Sequence, residues 1–169
     1  MGKPRILLQL DADRHASVFD AVTALDAGAE QLLQYHGVEP GEIRDLVHGA
    51  MFTRGPAELK NTAVFIGGSR LSEGEALLEQ VRGAFFGPLR VSVMLDSSGA
   101  NTTAAAAVLS AAKHGELQGK TAAVLAATGP VGGRVARLLA GLGVKVRAAS
   151  RSLERAEAAM TRSNNALLL

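Results

Sequence analysis

Apolar and polar positions along the chain alternate between short continuous runs and longer segments with helical spacing. Residues 5–10 form an apolar run that stops at an acidic Asp-Ala-Asp segment, which predicts a buried strand ending in a polar loop. Apolar residues then recur at helical spacing, and Ser17 with Asp20 forms a start of the capping-box type, so we predict a helix over 18–35. The same patterns predict further strands at 51–53, 62–66, 90–95, 121–126 and 144–149. They predict further helices at 40–47, 72–85, 101–113, 131–142 and from 152 onwards. A second capping box, from Ser72 to Glu75, opens the helix at 72–85.

This order of elements is that of the α/β class. A polar turn at 96–99 separates an N-terminal α/β domain, residues 1–98, from residues 99–169. The second region begins with a linking helix and holds one βαβ unit, whose crossover should be right-handed. Because no second strand-helix-strand half follows, a Rossmann-type domain in this region would be incomplete.

Composition narrows the possible functions. The chain is 47% hydrophobic and 20% charged and has no cysteine, which excludes a disordered tail, disulfides and cysteine chemistry. A net charge of +2, scattered Lys and Arg and only 4% aromatic residues argue against nucleic acid as a partner. No signal-peptide core or membrane-length apolar run occurs, so we expect a soluble cytoplasmic protein without a membrane partner.

The strongest chemical signal is the glycine-rich segment 126–133, between a predicted strand and a predicted helix. Ala127 occupies the first position of a G-x-G-x-x-G fingerprint, while Gly129 and Gly132 keep the second and third. Gly129 would let the backbone approach a pyrophosphate, and Gly132 would let the helix lie close to the sheet. The helix N–H groups would then face the anion. The segment predicts a dinucleotide site, and a purely structural turn is the alternative.

The end of the next predicted strand should contact the adenosine ribose, and the residues there are Ser150, Arg151 and Ser152. A carboxylate at this place would repel a 2′-phosphate, whereas a hydroxyl and a guanidinium donate hydrogen bonds to it. The segment therefore favours NADP over NAD. The alternative is that Arg151 is a solvated arginine at a strand end.

Other chemistry-bearing residues give weaker signals. The four histidines have no metal-ligand spacing, and no nucleophile elbow or Walker motif occurs, so no metal site, hydrolase or kinase chemistry is predicted. Aspartates fall at predicted strand ends or helix starts, which border the ligand crevice in open α/β sheets, although each could instead be a cap. Asn101 and Thr102, at a helix start, could likewise cap it or reach a ligand. The aspartates are Asp11, Asp13, Asp20 and Asp96.

Six segments carry a more specific pattern: 10–20 (LDADRHASVFD), 52–55 (FTRG), 65–68 (FIGG), 85–88 (FFGP), 94–104 (MLDSSGANTTA) and 127–132 (ATGPVG). Together they resemble the bacterial NADP-dependent methylene-tetrahydromethanopterin dehydrogenases of one-carbon metabolism. The resemblance runs in register from the first strand to about Ala159, and its most specific part is the Leu-Asp-Ser-x-Gly-x-Asn-Thr-Thr block.

The resemblance implies a fold related to the methylene-tetrahydrofolate dehydrogenases. Residues 1–98 would be an α/β substrate-binding domain, residues 99–169 the first part of a Rossmann NADP-binding domain, and the pterin would bind in a cleft between domains. Candidate NADP contacts are Thr128, Gly129, Pro130, Val131, Gly132, Ser150 and Arg151, and candidate pterin contacts are Asp20, Asp96, Asn101 and Thr102.

The implied reaction is hydride transfer from the methylene carbon of methylene-tetrahydromethanopterin, or of methylene-tetrahydrofolate, to NADP. Lone pairs on the two flanking pterin nitrogens stabilise the forming cation, so alignment is the main demand and no catalytic residue is assigned. Related cyclohydrolases carry a Tyr-x-x-x-Lys pair. Here Tyr35 is followed four residues later by Glu39, which argues against cyclohydrolase activity.

The C-terminal region departs from the family pattern. Only about 40 residues follow Gly129, whereas the family continues well beyond this point, so the chain looks C-terminally truncated. An inactive NADP-binding or dimerising remnant and an NADP reductase of another pathway are the alternatives. A sheet that ended here would leave an open strand edge, and Leu167–Leu169 would add apolar surface, so we also expect a homo-oligomer.

Overall fold

The computed structural model describes residues 2–165, which fall into two compact units divided between Ser98 and Gly99. The first unit contains β1 (Ile6–Leu10), α1 (Val18–Asp26), β2 (Gln31–Tyr35), α2 (Ile43–Phe52), β3 (Thr62–Ile66), α3 (Leu71–Gly83) and β4 (Ser92–Leu95). The second contains α4 (Ala100–Ala112), β5 (Thr121–Val124), α5 (Pro130–Gly141), β6 (Lys145–Ala148) and α6 (Leu153–Asn165). Residues 166–169, which include the three leucines of the surface prediction, lie outside the described residues.

The first unit is built on a parallel sheet of four strands in the order β2-β1-β3-β4. Leu10 at the end of β1 lies beside Tyr35 on β2 and Ile66 on β3, so these strands end at the same edge. Apolar residues of the central strands and of α2 and α3 form the core, which confirms the α/β class. Its fully buried members include Leu8, Leu10, Ile43, Val47, Met51, Val64, Ile66, Leu77 and Val81.

The predicted helix over 18–35 is wrong in its second half. Helix α1 ends at Asp26, and Gly28 follows in the left-handed region with φ +99°. Residues 31–35 instead form β2, paired in parallel with β1. Leucines at 32 and 33 fit a helical period as well as a strand, and the partner strand decides between the two.

Two further local predictions are also wrong. The strand fragment at 51–53 does not form, because Met51 lies in the last turn of α2 with its side chain buried in the core. Ser72 does not cap α3, which begins one residue earlier without a side-chain hydrogen bond at its N-cap. The capping role of Ser17 is confirmed, since its hydroxyl accepts a hydrogen bond from the backbone N–H of Asp20.

The second unit holds the predicted βαβ arrangement. Strands β5 and β6 pair in parallel, from Thr121 beside Lys145 to Val124 beside Ala148, with α5 between them in the chain. The predicted helices and strands after residue 100 are confirmed to within a few residues. A small core joins α4, α5 and the two strands, through Val108, Val124, Ala127, Ala136, Leu139 and Val144.

Within residues 2–165, no helix combines the length and the apolar character that a membrane span requires.

Candidate functional site

The loop between β5 and α5 packs so closely against the start of α5 that Gly132 has no room for a side chain. A Cβ atom on Gly132 would overlap the carbonyl oxygen of Ala126, and one on Gly129 would lie 3.3 Å from the same oxygen. The left-handed residue of this loop is Ala126, with φ 53°, whereas Ala127 is buried and donates its N–H to the carbonyl of Ala149. Gly132 therefore lets α5 start close to the backbone of Ala126, two residues after the end of β5.

The start of α5 has no side-chain cap. Gly129 is its N-cap in an extended conformation, and Pro130 fills the first helical position. The N–H groups of a helix's first turn lack intrahelical acceptors, and the helix dipole places partial positive charge there. This end of α5 can therefore hold an anionic group such as a pyrophosphate by backbone atoms alone.

A second loop, after β6, meets the first one through hydroxyl groups. The Oγ1 atom of Thr128 lies 3.4 Å from Oγ of Ser150, and Ser150 Oγ accepts a hydrogen bond from the N–H of Ser152. The hydroxyl of Ser152 in turn accepts from the backbone of Arg155, in the first turn of α6. Arg151 is exposed. The two loops thus bring the hydroxyls of Thr128 and Ser150 together, and the exposed Arg151 is the next residue in the chain.

The two units differ in their balance of basic and acidic residues. Residues 99–169 carry nine Lys and Arg against three Asp and Glu, whereas residues 1–98 carry nine against thirteen. A unit with a positive balance favours an anionic ligand, and a dinucleotide that bears an additional 2′-phosphate is more anionic than one without it.

Sequence analysis did not single out Arg134, which ties α4 to α5. Its Nε donates to Oδ1 of Asn101, and its Nη1 donates to the carbonyl of Pro130 at 3.2 Å. The hydroxyl of Thr102 donates to the carbonyl of Gly99 at 3.3 Å. Asn101 and Thr102 therefore both make contacts that support the start of α4 and its packing. A basic residue one turn into the helix after a glycine-rich loop is the signal that could have identified Arg134.

In the first unit, aspartates gather where parallel strands end. Asp11 follows β1 and is fully buried, with Oδ1 accepting from the N–H of Asp13 and Oδ2 from the N–H of Ser17. Asp13 binds the backbone and the hydroxyl of Ser69 after β3. Asp96 follows β4, and its N–H continues the sheet by donating to the carbonyl of Ile66.

Two glycines after β3 leave room beside these carboxylates. A Cβ atom on Gly67 would lie 3.0 Å from Oδ2 of Asp20 and 3.5 Å from Oδ2 of Asp11. Gly68 has φ +94°, and its Cβ would lie 3.1 Å from Oδ1 of Asp11. Sequence analysis included the pair in segment 65–68 of the family resemblance but assigned it no contact, whereas in the structure both residues lie beside the carboxylates.

The carboxyl group of Asp20 is electrostatically unusual. Partial burial raises the pKa of Asp20, the hydrogen bond from Ser17 opposes that rise, and the neighbouring Asp11 and Asp96 carboxylates raise the pKa further. Asp20 and Asp96, proposed from the sequence as pterin contacts, thus lie close enough to influence one another. Asp20 retains a proton to a higher pH than an ordinary aspartate.

Phe19 is a further residue that sequence analysis did not assign to the site. Its ring is 79% exposed, although it precedes the partly buried Asp20 in the first turn of α1. Exposed single aromatic residues are common, but this one directly precedes Asp20, whose carboxyl group interacts with those of Asp11 and Asp96. An aromatic residue between a helix cap and an acidic residue is a signal that sequence reasoning can look for.

Three of the four histidines make contacts of other kinds. His15 and His36 have ring centroids 6.2 Å apart, and Nε2 of His48 lies 2.8 Å from the carbonyl of Ala84, where it links α2 to the end of α3. Across residues 2–165, no three His, Cys, Asp or Glu side chains are grouped to hold a metal ion.

The sequence of this chain is similar to those of known proteins. Residues 18–98 match the sequence model described as methylene-tetrahydromethanopterin dehydrogenase, N-terminal. The "Bifunctional protein MdtA" of Methylorubrum extorquens strain AM1 is 47% identical over 157 residues, which cover 92% of this chain and 54% of that relative. The "NAD(P)-dependent methylenetetrahydromethanopterin dehydrogenase" of the same organism is 33% identical over 132 residues, 75% of this chain and 44% of the relative.

The chain thus spans about half the length of the curated relatives it matches. The match covers α1, Gly67–Gly68 and Asp96, so part of the candidate site of the first unit lies within the matched region, while Asp11 and Asp13 precede it. These sequence matches show that the chain belongs to the methylene-tetrahydromethanopterin dehydrogenase family.

Proposed function

We propose that this chain carries the two binding elements of a dehydrogenase that transfers a hydride from methylene-tetrahydromethanopterin to NADP. Residues 99–169 bind NADP, and residues 1–98, with Asn101 and Thr102, bind the pterin. The observation that carries the proposal is the uncapped, glycine-lined start of α5 with the Thr128 and Ser150 hydroxyls beside it. The name of the second relative, which includes NAD(P) and methylenetetrahydromethanopterin, supports the same pair of ligands.

The NADP contacts divide by the part of the cofactor they meet. The first turn of α5 and its loop hold the pyrophosphate through backbone N–H groups, because no side chain occupies that position. Ser150 and Arg151 donate hydrogen bonds to the 2′-phosphate. The complete proposed set is Thr128, Gly129, Pro130, Val131, Gly132, Ser150 and Arg151.

The pterin contacts rest on complementary hydrogen bonding. The aminopyrimidinone edge of a reduced pterin presents neighbouring N–H donors, which pair with carboxylate oxygens. Asp20 and Asp96 supply those oxygens, Gly67 leaves space beside Asp20, and Phe19 supplies an apolar face for the ring. Asn101 and Thr102 remain proposed pterin contacts on the strength of the family resemblance.

Binding and orientation are the protein's part in this chemistry. NADP, when bound, supplies the hydride acceptor, and the two pterin nitrogens beside the methylene carbon stabilise the positive charge that forms. The chain's residues therefore need to align the two carbons and exclude water, and no general base is required. Tetrahydrofolate as the carrier, and an NADP-binding remnant without turnover, are the competing functions.

NADP preference is tested by isothermal titration of the whole chain with NADP and NAD. Arg151→Ala should weaken NADP binding about 10- to 100-fold and leave NAD binding unchanged, because a charge-assisted contact is worth roughly 1.5–3 kcal/mol. Arg147→Ala is the matched control, since Arg147 is an exposed arginine of β6. Equal affinities for NADP and NAD in the wild type, or equal effects of the two substitutions, would overturn the assignment.

Turnover is tested by adding methylene-tetrahydromethanopterin and NADP and following NADPH absorbance, with methylene-tetrahydrofolate in a parallel reaction. Activity with the first pterin supports the proposed reaction, and activity with the second alone assigns the folate branch. NADP binding without turnover of either supports the remnant.

We also propose that the chain is cytoplasmic, where proteins rarely need the disulfides that it cannot form. We further propose that it self-associates through α1. Val18, Val22 and Leu25 are each at least half exposed, at the i, i+4, i+7 spacing of helix-helix seams. Asp26 lies at the C-terminal end of α1, whose last turn contains no basic residue, and an antiparallel second α1 would bring its positive N-terminus there. Light scattering should show that the wild-type chain is a dimer and that Val22→Glu is a monomer. Leu109→Glu, at an exposed position on α4, is the control and should remain a dimer. A monomeric wild type would contradict the proposal.

A further inference from the structure

One residue of the first unit, Ser17, has both of its backbone polar groups held by buried side chains of β1 and the residue that follows it. Gln9 donates from Nε2 to the carbonyl of Ser17 at 3.2 Å, and Asp11 accepts the N–H of Ser17 at 3.2 Å. Gln9 is 1% exposed and Asp11 is fully buried. We call this arrangement of Gln9 and Asp11 around Ser17 the Ser17 clamp.

The orientation of the Gln9 amide is fixed from both sides. Its Oε1 accepts a hydrogen bond from Nε2 of Gln34, so its nitrogen must face Ser17, whose carbonyl can only accept. Asp11 is fixed in the same way, because its second oxygen accepts the N–H of Asp13. The Ser17 clamp is therefore a hydrogen-bonded network in which each member has a defined position.

Hydrogen bonds from the first turn of α1 to Ser17 fix the start of the helix relative to the Ser17 clamp. Its hydroxyl accepts the N–H of Asp20, and its carbonyl accepts the N–H of Ala21. The Cα positions of Phe19 and Asp20 then follow from the helix geometry. Two buried polar side chains are expensive to desolvate, and here their hydrogen bonds are made to the backbone at the helix start.

We propose that Gln9 and Asp11 are positioning residues, which act through Ser17 to hold Phe19 and Asp20 where the pterin binds. This inference rests on the proposed function for the identity of the ligand. The placement of the helix start itself can be measured without any ligand, so the two can fail separately.

Three variants of the whole chain test the inference. Asp11→Asn keeps the size of the side chain but turns a donor towards either Ser17 or Asp13, and removes the charge. Gln9→Met keeps a similar length and removes both polar atoms. Val64→Ala is the control, because Val64 is buried in the core of the same sheet and its truncation lowers stability without touching Ser17.

The first measurement is amide hydrogen exchange by NMR in the absence of ligand. Loss of one such hydrogen bond should raise exchange at Asp20 and Ala21 about tenfold in the two clamp variants, with the amides of α2 and α3 unchanged. Val64→Ala should raise exchange across the sheet and its helices instead. If the clamp variants show the same distributed pattern as Val64→Ala, the Ser17 clamp is only a part of the core and the inference is overturned.

The second measurement is the dissociation constant for methylene-tetrahydromethanopterin, with NADP as the reference ligand. The clamp variants should weaken pterin binding about tenfold and leave NADP binding unchanged, while Val64→Ala should change neither by more than about twofold. Local exchange with unchanged pterin binding overturns the positioning role. A wild-type chain that binds no pterin overturns the pterin half of the proposed function, and the exchange result alone then decides whether the helix start is held by the Ser17 clamp.

Discussion

At the candidate site of residues 1–98 the polar atoms belong to side chains, whereas at the glycine loop of residues 99–169 they belong to the backbone. Asp11, Asp13 and Asp20 are held by a network of side-chain hydrogen bonds at the strand ends. The start of α5 has no side-chain cap, and the anion site proposed there depends on the absence of a side chain at Gly132. Side-chain sites can discriminate among ligands by donor and acceptor pattern, while the backbone site recognises an anion in general.

This contrast makes Gly132 the position with the largest expected effect. In Gly132→Ala the added Cβ overlaps the carbonyl of Ala126, so α5 has to move away from the loop. Overpacking of this kind costs roughly 1–3 kcal/mol, which corresponds to about 10- to 100-fold weaker NADP binding. Pterin binding should not change. Both affinities can be measured by isothermal titration.

Gly133→Ala is the matched control for that substitution, since its Cβ would lie 3.3 Å from the carbonyl of Ala127 and needs only a small adjustment. We expect it to weaken NADP binding less than about threefold. Equal losses in the two variants would mean that α5 is sensitive to any added volume, and the backbone account of this site would be wrong.

An intermediate effect is expected at Gly67, the corresponding test of the side-chain site. The Cβ of Gly67→Ala would lie 3.0 Å from Oδ2 of Asp20, so the carboxylate has to shift by a few tenths of an ångström. Pterin binding should weaken about three- to tenfold, with NADP binding unchanged. Gly49→Ala on α2, where a Cβ meets nothing within 4 Å, is the control. A loss of NADP binding in Gly67→Ala would show that the two sites are not separable.

The smallest effect is the pH dependence of stability that Asp20 contributes. Its pKa is raised in the folded chain, so between the ordinary value of 3.8 and the raised value the folded state binds more protons than the unfolded state. The free energy of unfolding therefore falls as pH rises through this window. Asp20→Asn should remove that fall and be more stable than the wild type above the window, with the difference narrowing towards pH 3.8. Thermal denaturation against pH measures it, and a wild type that gains stability relative to the variant as pH rises would contradict the assignment.

Sequence reasoning predicted the second unit better than the first. The glycine loop, α5 and the flanking strands follow from local turn chemistry and one short crossover, so they are visible in the order of residues at 121–148. In the first unit, residues 31–35 were assigned to a helix because only pairing with β1 makes them a strand. Local periodicity carries no information about such a partner.

The candidate site shows the same limit. The aspartates could be suspected because strand ends border a crevice, but the roles of Gln9 and Gly67 could not. Gln9 lies inside an apolar run, and its amide matters only because Ser17 and Gln34 lie against it in the folded chain. Likewise, Gly67 matters because Asp20 from α1 approaches it. Contacts between residues distant in sequence determine both roles.

The most direct test of this division is an amide NMR titration of the whole chain with each ligand in turn. NADP should shift the amide resonances of Thr128, Gly129, Val131, Gly132, Ser150 and Arg151 and leave those of Asp20, Gly67 and Asp96 unchanged. Methylene-tetrahydromethanopterin should instead shift those of Phe19, Asp20 and Gly67. Shifts from NADP centred on the acidic strand ends, or none at the start of α5, would contradict the assignment of the anion to the backbone site.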